Sequence, residues 1–297
     1  MAFNVLIGGG TGFVGQAITR SLKQNGHSVK IISRQSGKPD KISWSSIREN
    51  GLPHDTDAVV NVSGAPVINP FRRWTDEYKQ EVRNSRLHTN KWLRQAIISS
   101  AIKPKVFATI SGVGFYPSSK TATYDEESPG GVDEYLAILA NGWENEAKLP
   151  SDCDAVRQVI VRSGVVLGKG GGLMANLTWP FWLGLGGQYG NGQQFFPWIH
   201  VDDIAAIFVH SIENEVSGIL NAVSPDIRTN GDFTKEFAGV MRRPAFFTVP
   251  AFVIKCTLGD ERSPMLLQGQ KVIPKRTLES GYKFIHPNLT DALRNIV

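Results

Sequence analysis

Val5-Leu6-Ile7-Gly8-Gly9-Gly10-Thr11-Gly12-Phe13-Val14-Gly15 passes from an apolar strand straight into a glycine-rich loop. Residues 13–22 read as a helix, Asn25-Gly26-His27 as a turn and residues 29–32 as a second strand. A strand, a helical crossover and another strand in quick succession predict parallel pairing. The loop satisfies G-x-G-x-x-G at Gly10, Gly12 and Gly15, and G-x-x-G-x-x-G at Gly9, Gly12 and Gly15. By itself such a pattern also suits a tight strand-to-helix turn. A strand before it, a helix after it and a second strand at the right distance turn it into an expected phosphate cradle. There, backbone N–H groups and the positive end of a helix face an anion that a Cβ would keep away.

The same alternation continues outward. An apolar run at 57–61 precedes a helical stretch at about 75–100, and residues 106–110 read as a strand buried on both faces. Tyr135, Leu139, Trp143 and Ala147 recur at spacing four, marking one face of a helix over 134–149, and 159–161 reads as the next strand. The expectation is an α/β protein with a doubly wound parallel sheet of Rossmann type over 1–167. A smaller C-terminal α/β lobe follows over 168–297, with about 198–222 returning to the Rossmann sheet. Glycines crowd 168–172 and 184–192, and aromatics cluster from Trp179 through Phe181, Trp182, Tyr189, Phe195 and Phe196 to Trp198. That cluster reads either as the cover of a substrate pocket or as the lobe's core.

Composition narrows the function classes. At 297 residues, 41% hydrophobic and 20% charged, the chain has the profile of an ordinary folded protein. Its net charge of +5 comes from scattered basic residues rather than a cationic run, so no nucleic-acid partner is expected. The first strand begins too early for a targeting peptide and no apolar run is long enough to span a bilayer, so no membrane partner and a cytoplasmic location are expected. Cys153 and Cys256 lack metal spacing. His200-Val201-Asp202-Asp203 offers one histidine beside carboxyl groups, so it reads as a packing segment with Asp202 or Asp203 as a helix N-cap, and no metal is expected.

The end of the second strand selects the cofactor. A dinucleotide site specific for NAD carries Asp or Glu there, hydrogen-bonded to the ribose hydroxyls. This chain has Ser33-Arg34. A hydroxyl beside a guanidinium suits a 2′-phosphate that a carboxylate would repel, so the expected cofactor is NADP(H). The plainer alternative is that Arg34 is a surface arginine. Gly9, Thr11, Gly12, Phe13, Val14, Gly15, Ser33 and Arg34 are the predicted contacts.

Together with Asn61-Val62-Ser63-Gly64, the segment Phe196-Pro197-Trp198-Ile199-His200-Val201-Asp202-Asp203 and Asn221 before Pro225, these features resemble the extended short-chain dehydrogenase/reductases, which include the sugar-nucleotide epimerases. The glycine loop, Ser85-Arg86, 161–168 and 267–274 are more similar to an atypical, epimerase-family subgroup, once called cell-division-inhibitor-like. The resemblance runs through nearly the whole chain. It implies that Val62, Ser63, Glu81, Arg86 and Arg162 lie near the cofactor, and that helices 75–100 and 134–149 could pair in a homodimer. Read without it, Glu81 and Arg86 equally suit a solvated helical ion pair.

The same family usually reduces or oxidises carbon with a Tyr whose phenol is acidified by a Lys four residues on, beside a Ser or Thr that holds the substrate oxygen. Ser111 matches the Ser/Thr position, but aligning Glu144 with the glutamate after the usual lysine puts Leu136 and Ala140 where Tyr and Lys belong. Tyr116 and Tyr135 are nearby phenols without a matching lysine, and each could instead be a packed residue with a satisfied hydroxyl. Ser111 and Tyr116 are therefore the catalytic candidates for an NADP(H)-dependent oxidoreductase acting on an unknown small molecule. A non-catalytic NADP(H) sensor or scaffold and a nucleotide-sugar epimerase are the competing expectations.

Overall fold

The computed structural model describes residues 2–34, 40–69 and 72–297. From the N-terminus the elements are β1 (Asn4–Gly8), α1 (Phe13–Gln24), β2 (Ser28–Ser33), β3 (Lys41–Ser43), α2 (Trp44–Asn50), β4 (Ala58–Asn61), α3 (Asp76–Ser99) and β5 (Val106–Gly112). A 3-10 turn (Val113–Phe115) and β6 (Thr123–Tyr124) lead to α4 (Tyr135–Ala147), and a second 3-10 turn (Ser151–Cys153) leads to β7 (Arg157–Ser163) and β8 (Val165–Leu167). Then come α5 (Met174–Trp182), β9 (Gly187–Tyr189), β10 (Trp198–His200), α6 (Val201–Glu213) and β11 (Gly218–Ala222). The chain ends with α7 (Asn230–Met241), β12 (Phe247–Val249), α8 (Ala251–Leu258), α9 (Pro264–Leu267), β13 (Lys271–Val272), α10 (Lys275–Glu279) and α11 (Leu289–Ile296).

Seven of the strands form one parallel sheet in the order β11-β7-β5-β4-β1-β2-β3. Pairing places Asn4 beside Ser28 and Val5 beside Ala58, so β1 is central and the chain winds outward from it in both directions. That reversal leaves a crevice beyond the carboxyl ends of β1 and β4, where such sheets bind ligands. Val5 to Gly8 and all of β4 are buried, as strands covered by helices on both faces require. α3 is started by Thr75, whose hydroxyl accepts from Tyr78 N at 3.3 Å, and it buries Tyr78, Val82, Arg86, Leu93 and Ile97 on one face.

By packing, the chain forms two compact units, each built from three segments. The first comprises residues up to Ser111, Leu139–Val161 and Ala205–Leu220; the second comprises Gly112–Ile138, Arg162–Ile204 and Asn221–Val297. Leu6, Val59, Leu93, Ile97 and Phe107 anchor the core of the first. Met174, Phe181, Trp198, Phe233, Phe237 and Leu293 anchor that of the second.

Of the stretch expected to return to the sheet, β11 does so, whereas β10 pairs in parallel with β8 in a separate two-stranded ribbon. Gly164 explains the switch. Its N–H donates to Ala222 O at 2.9 Å while the next residue, Val165, donates to Pro197 O at 2.7 Å. A Cβ on Gly164 would lie 2.6 Å from Pro197 O, so only glycine lets the chain change partners there.

Candidate functional site

The glycine loop is shaped by its backbone. Gly9 has φ +79°, and a Cβ there would stand 2.8 Å from Ser63 N and from the Val62 carbonyl. A Cβ on Gly15 would lie 2.1 Å from Gly9 O, which already accepts from Gly12 N at 3.0 Å. The loop therefore closes on itself only with glycine at both positions. Gly12 is the N-cap of α1 and supplies no side chain to it, so among the described residues the first N–H groups of the helix lack the usual side-chain cap. Thr11 and Gly12 are exposed, Phe13 and Val14 half-buried, and Gly15 buried. This geometry fits a pyrophosphate: open backbone donors, a helix N-terminus and no Cβ in the approach.

Val62 and Ser63 follow β4 directly, where Gly8 of β1 pairs with Asn61. Asn61, fully buried, accepts from Ser63 N at 3.1 Å and donates to Asn90 Oδ1 at 2.5 Å, while Asn90 donates to Trp143 O at 2.9 Å. The loop after Ser63 is clamped on both sides of Ala65. Ser85 Oγ accepts from Ala65 N at 2.9 Å, and Arg86 Nη1 donates to Ala65 O at 2.9 Å. Arg86 is buried, with its guanidinium 4.9 Å from the Trp143 ring centre and also bonded to Val82 O at 3.0 Å. It thus braces the loop that carries Val62 and Ser63. Asn61 went unassigned as a site residue in the sequence because its partners lie 28 and 29 positions away.

Ser33 ends β2 and is buried, and Arg34, the next residue, is exposed. Glu81 is brought to neither Arg86 nor the glycine loop; it is exposed and accepts from Arg72 Nη1 at 2.7 Å. The solvated ion pair considered for Glu81 therefore forms, with Arg72 as partner in place of Arg86, because Arg86 is turned inward to the Ala65 carbonyl.

Ser111 lies at the carboxyl end of β5, 3% exposed, and its Oγ has no hydrogen-bond partner. The Ser63 Oγ is likewise a buried atom without one. Unsatisfied buried hydroxyls cost free energy, so each calls for an explanation, and both of these stand at or just past the carboxyl ends of core strands. Leu136 and Ala140 lie in the first turns of α4. A Cβ on Gly114 would lie 2.9 Å from Leu136 Cβ, so Leu136 fills its position by close packing.

Tyr116 has a different setting. Its ring is fully buried and stacked on Tyr124 at 5.4 Å, its hydroxyl donates to Asn221 Oδ1 at 2.9 Å, and it accepts from Arg162 Nη1 at 3.0 Å. Burial pushes the phenol above its ordinary pKa, and the Arg162 charge offsets this only in part. A buried phenol with a raised pKa and a hydroxyl bonded on both sides has the setting of a packed, satisfied residue, the alternative weighed for Tyr116 in the sequence. Arg162 is 2% exposed and lies 3.3 Å from the Phe115 ring centre. Its Nη1 is one of the two hydrogen-bond partners of the Tyr116 hydroxyl. Buried Glu126 completes this network, accepting from Asn221 N at 3.0 Å, Arg276 N at 3.1 Å and Thr277 N at 3.3 Å.

The aromatic cluster divides. Phe181 and Trp198 are core residues, whereas Trp179 and Trp182 face solvent. Neither Asp202 nor Asp203 caps a helix, since α6 begins at Val201 and both lie in its first turn. Asp203 instead accepts from Tyr282 Oη at 2.8 Å, Ile285 N at 2.6 Å and His286 N at 2.9 Å, tying down the C-terminal segment. His200, Asp202 and His286 come close enough together to resemble a metal triad. His200 Nδ1 accepts from Asp202 N at 3.1 Å, whereas His200 Nε2 is a buried atom without a hydrogen-bond partner. The second unit also holds a cleft of about 390 Å³ lined by Tyr135, Leu136, Ile138 and Met265, with Asp133, Glu134, Asp260 and Glu261 around them and no Lys or Arg among its described lining residues. Among the described residues, no helix is long and apolar enough to cross a membrane.

Comparison with known proteins gives three kinds of match. Residues 5–135 match the NAD dependent epimerase/dehydratase family, and residues 249–296 match a domain of unknown function, DUF1731. The human epimerase family protein SDR39U1 is 47% identical over 294 residues, covering 99% of each chain. Epimerase family protein YfhF of Bacillus subtilis is 33% identical over 303 residues, covering 99% of this chain and 98% of its own. The crystal structure of human SDR39U1 (isoform 2) with NADPH superposes with a TM-score of 0.96, covering 99% of this chain and 98% of that one.

Proposed function

The chain belongs to the SDR39U1-like epimerase family, with an NAD dependent epimerase/dehydratase module, and on that premise we propose that it is an NADP(H)-dependent oxidoreductase acting on a small molecule. Gly9, Gly12 and Gly15 admit the pyrophosphate to the start of α1, and Ser33 with Arg34 takes the 2′-phosphate. Arg86 and Asn61 fix the strand end that carries Ser63. The bound cofactor supplies or accepts a hydride. Ser111 carries the catalytic part of the reading, because its unpartnered Oγ can donate to a substrate carbonyl oxygen at the end of a core strand.

With Leu136 and Ala140 at the proton-transfer positions and the Tyr116 hydroxyl engaged, a buried Tyr/Lys acid is missing from this chemistry. Acceptors such as quinones and enones, whose reduced carbon or oxygen takes its proton from water, suit it best. The acidic lining of the second unit's cleft disfavours a diphosphate and so speaks against a nucleotide-sugar epimerase.

Leu136 and Ala140 also favour a second reading, an NADP(H) sensor without turnover. NADPH consumption across aldehydes, ketones, quinones and enones separates the two. Under the enzyme reading one class consumes NADPH, and Ser111→Ala lowers turnover about 10- to 100-fold with unchanged NADPH affinity. Tight NADPH binding with no consumption by any class assigns the sensor.

A further inference from the structure

The second unit carries an exposed apolar face that the dinucleotide chemistry does not use. Trp179, Trp182, Leu183 and Leu185 lie on and just after α5, and Phe246 and Phe252 flank β12; Phe246 is 89% exposed, Trp179 and Phe252 each 68%. The two segments are contiguous. β9 and β12 pair at Gly187 and Phe247, a Cβ on Gly184 would lie 3.3 Å from Pro244, and the Arg243 guanidinium sits 5.4 Å from the Trp182 ring centre. Beside them runs a groove of about 460 Å³ lined by Lys235, Arg243, Phe246 and Phe247.

The charge pattern of this face is one-sided. No Asp, Glu, Lys or Arg occurs between Lys169 and Asp202, and between Glu236 and Asp260 the charged residues are Arg242, Arg243 and Lys255. Tryptophan, phenylalanine and leucine bordered by basic side chains, with no acid among them, are the composition of a surface that lies in a lipid headgroup layer. The aromatic rings enter the acyl boundary while Arg and Lys reach the phosphates. A second copy docked face to face would set Arg242 and Arg243 against themselves, with no acidic residue of these segments to offset them.

Against the expectation of no membrane partner drawn from the absence of a spanning apolar run, we propose that this face docks the protein on the surface of an anionic lipid membrane, with α5 and the segment around β12 lying in the headgroup region. Flotation with vesicles of phosphatidylcholine alone, or with about one third phosphatidylserine, tests it at about 0.1 M and about 0.5 M salt. The protein floats with the anionic vesicles at low salt, floats far less at high salt and with neutral vesicles, and its tryptophan emission shifts to the blue. Arg242→Glu with Arg243→Glu weakens vesicle affinity about tenfold or more, and Phe246→Ser with Trp179→Ser does the same. These side chains lie outside the core clusters, so cooperative melting is retained; if a variant does not fold, the wild-type lipid and salt series decides. Absence of flotation, equal flotation with neutral vesicles, or wild-type flotation by both folded variants overturns the proposal. A concentration-dependent dimer that Phe246→Ser dissociates assigns the face to a second copy instead, and also overturns it.

Discussion

The glycine loop and the pair Tyr116 and Arg162 were both marked by the sequence as functional, and their surroundings are built in opposite ways. In the loop, backbone groups do the work and side chains are kept out: Gly9 and Gly15 leave no room for a Cβ, and α1 begins without a side-chain cap. Around Tyr116, side chains satisfy one another, with Arg162, Asn221 and Glu126 filling a buried network. Open donors at one place and closed ones at the other imply different vulnerabilities. Damage to the loop should appear as lost binding, and damage to the network as lost stability.

Arg162→Met is the severest way to break this contrast. It removes the cation that holds Tyr116 and leaves polar partners uncompensated in the interior, so it should cost about 3–5 kcal/mol in urea unfolding, whereas Tyr116→Phe should cost about 1–3 kcal/mol. In the folded fraction of both variants NADPH affinity should stay within a few-fold of wild type. A large affinity loss in Arg162→Met with unaltered stability would return Arg162 to the cofactor-contact role that the family resemblance implies.

Gly15→Ala tests the loop from the other direction. A methyl 2.1 Å from Gly9 O cannot be accommodated unless the loop opens. NADPH affinity, read by fluorescence titration, should fall about 100-fold or more, a loss of about 3 kcal/mol. Gly26→Ala is the control: φ is +82° but nothing lies near the added Cβ, so it should cost only some stability and leave affinity alone. Arg34→Glu has a narrower effect. Replacing a guanidinium with a carboxylate should weaken NADPH binding by about 10- to 100-fold and NADH binding hardly at all. Equal losses would make Arg34 a surface residue with no role in selectivity.

The two regions also differ in how far they could be read in advance. The strand, loop and helix at residues 4–24 and the helical faces of α3 and α4 follow from local periodicity and from glycine's steric freedom, which neighbouring residues alone determine. The Tyr116 network joins residues 46, 95, 105 and 150 positions apart, and nothing local in the Asp125-Glu126-Glu127 stretch distinguishes the acid that turns inward. Asp203 escaped for the same reason, since its partners lie 79 to 83 positions away in the C-terminal segment. For Glu81 the sequence left open a place near the cofactor or an ion pair with Arg86, because spacing cannot reveal that Arg86 is drawn to the Ala65 carbonyl. The short ribbons formed by β8 with β10 and β9 with β12 carry too few residues each to show a period.

His200 extends the contrast to pH, with the smallest of the expected effects. It lies in the second unit at 2% exposure, its ring centre 4.0 Å from that of His286, with Asp202, Asp203 and Asn295 also around it. Burial, and then the neighbouring His286 charge, hold its pKa below the ordinary value, while Asp202 and Asp203 pull the other way without prevailing. The native state therefore takes up its proton at lower pH than the unfolded chain. On acidification below about pH 6.5 the unfolded chain protonates first, so stability from this group is complete above that pH and declines below it until the native histidine also titrates. One histidine gives a slope of at most about 1.4 kcal/mol per pH unit. Urea midpoints between about pH 5 and 8 should fall on the acid side in the wild type and flatten in His200→Asn, while the NADPH affinity of the folded protein follows no such difference between the two. A midpoint that is the same function of pH in both proteins would remove His200 from the acid response.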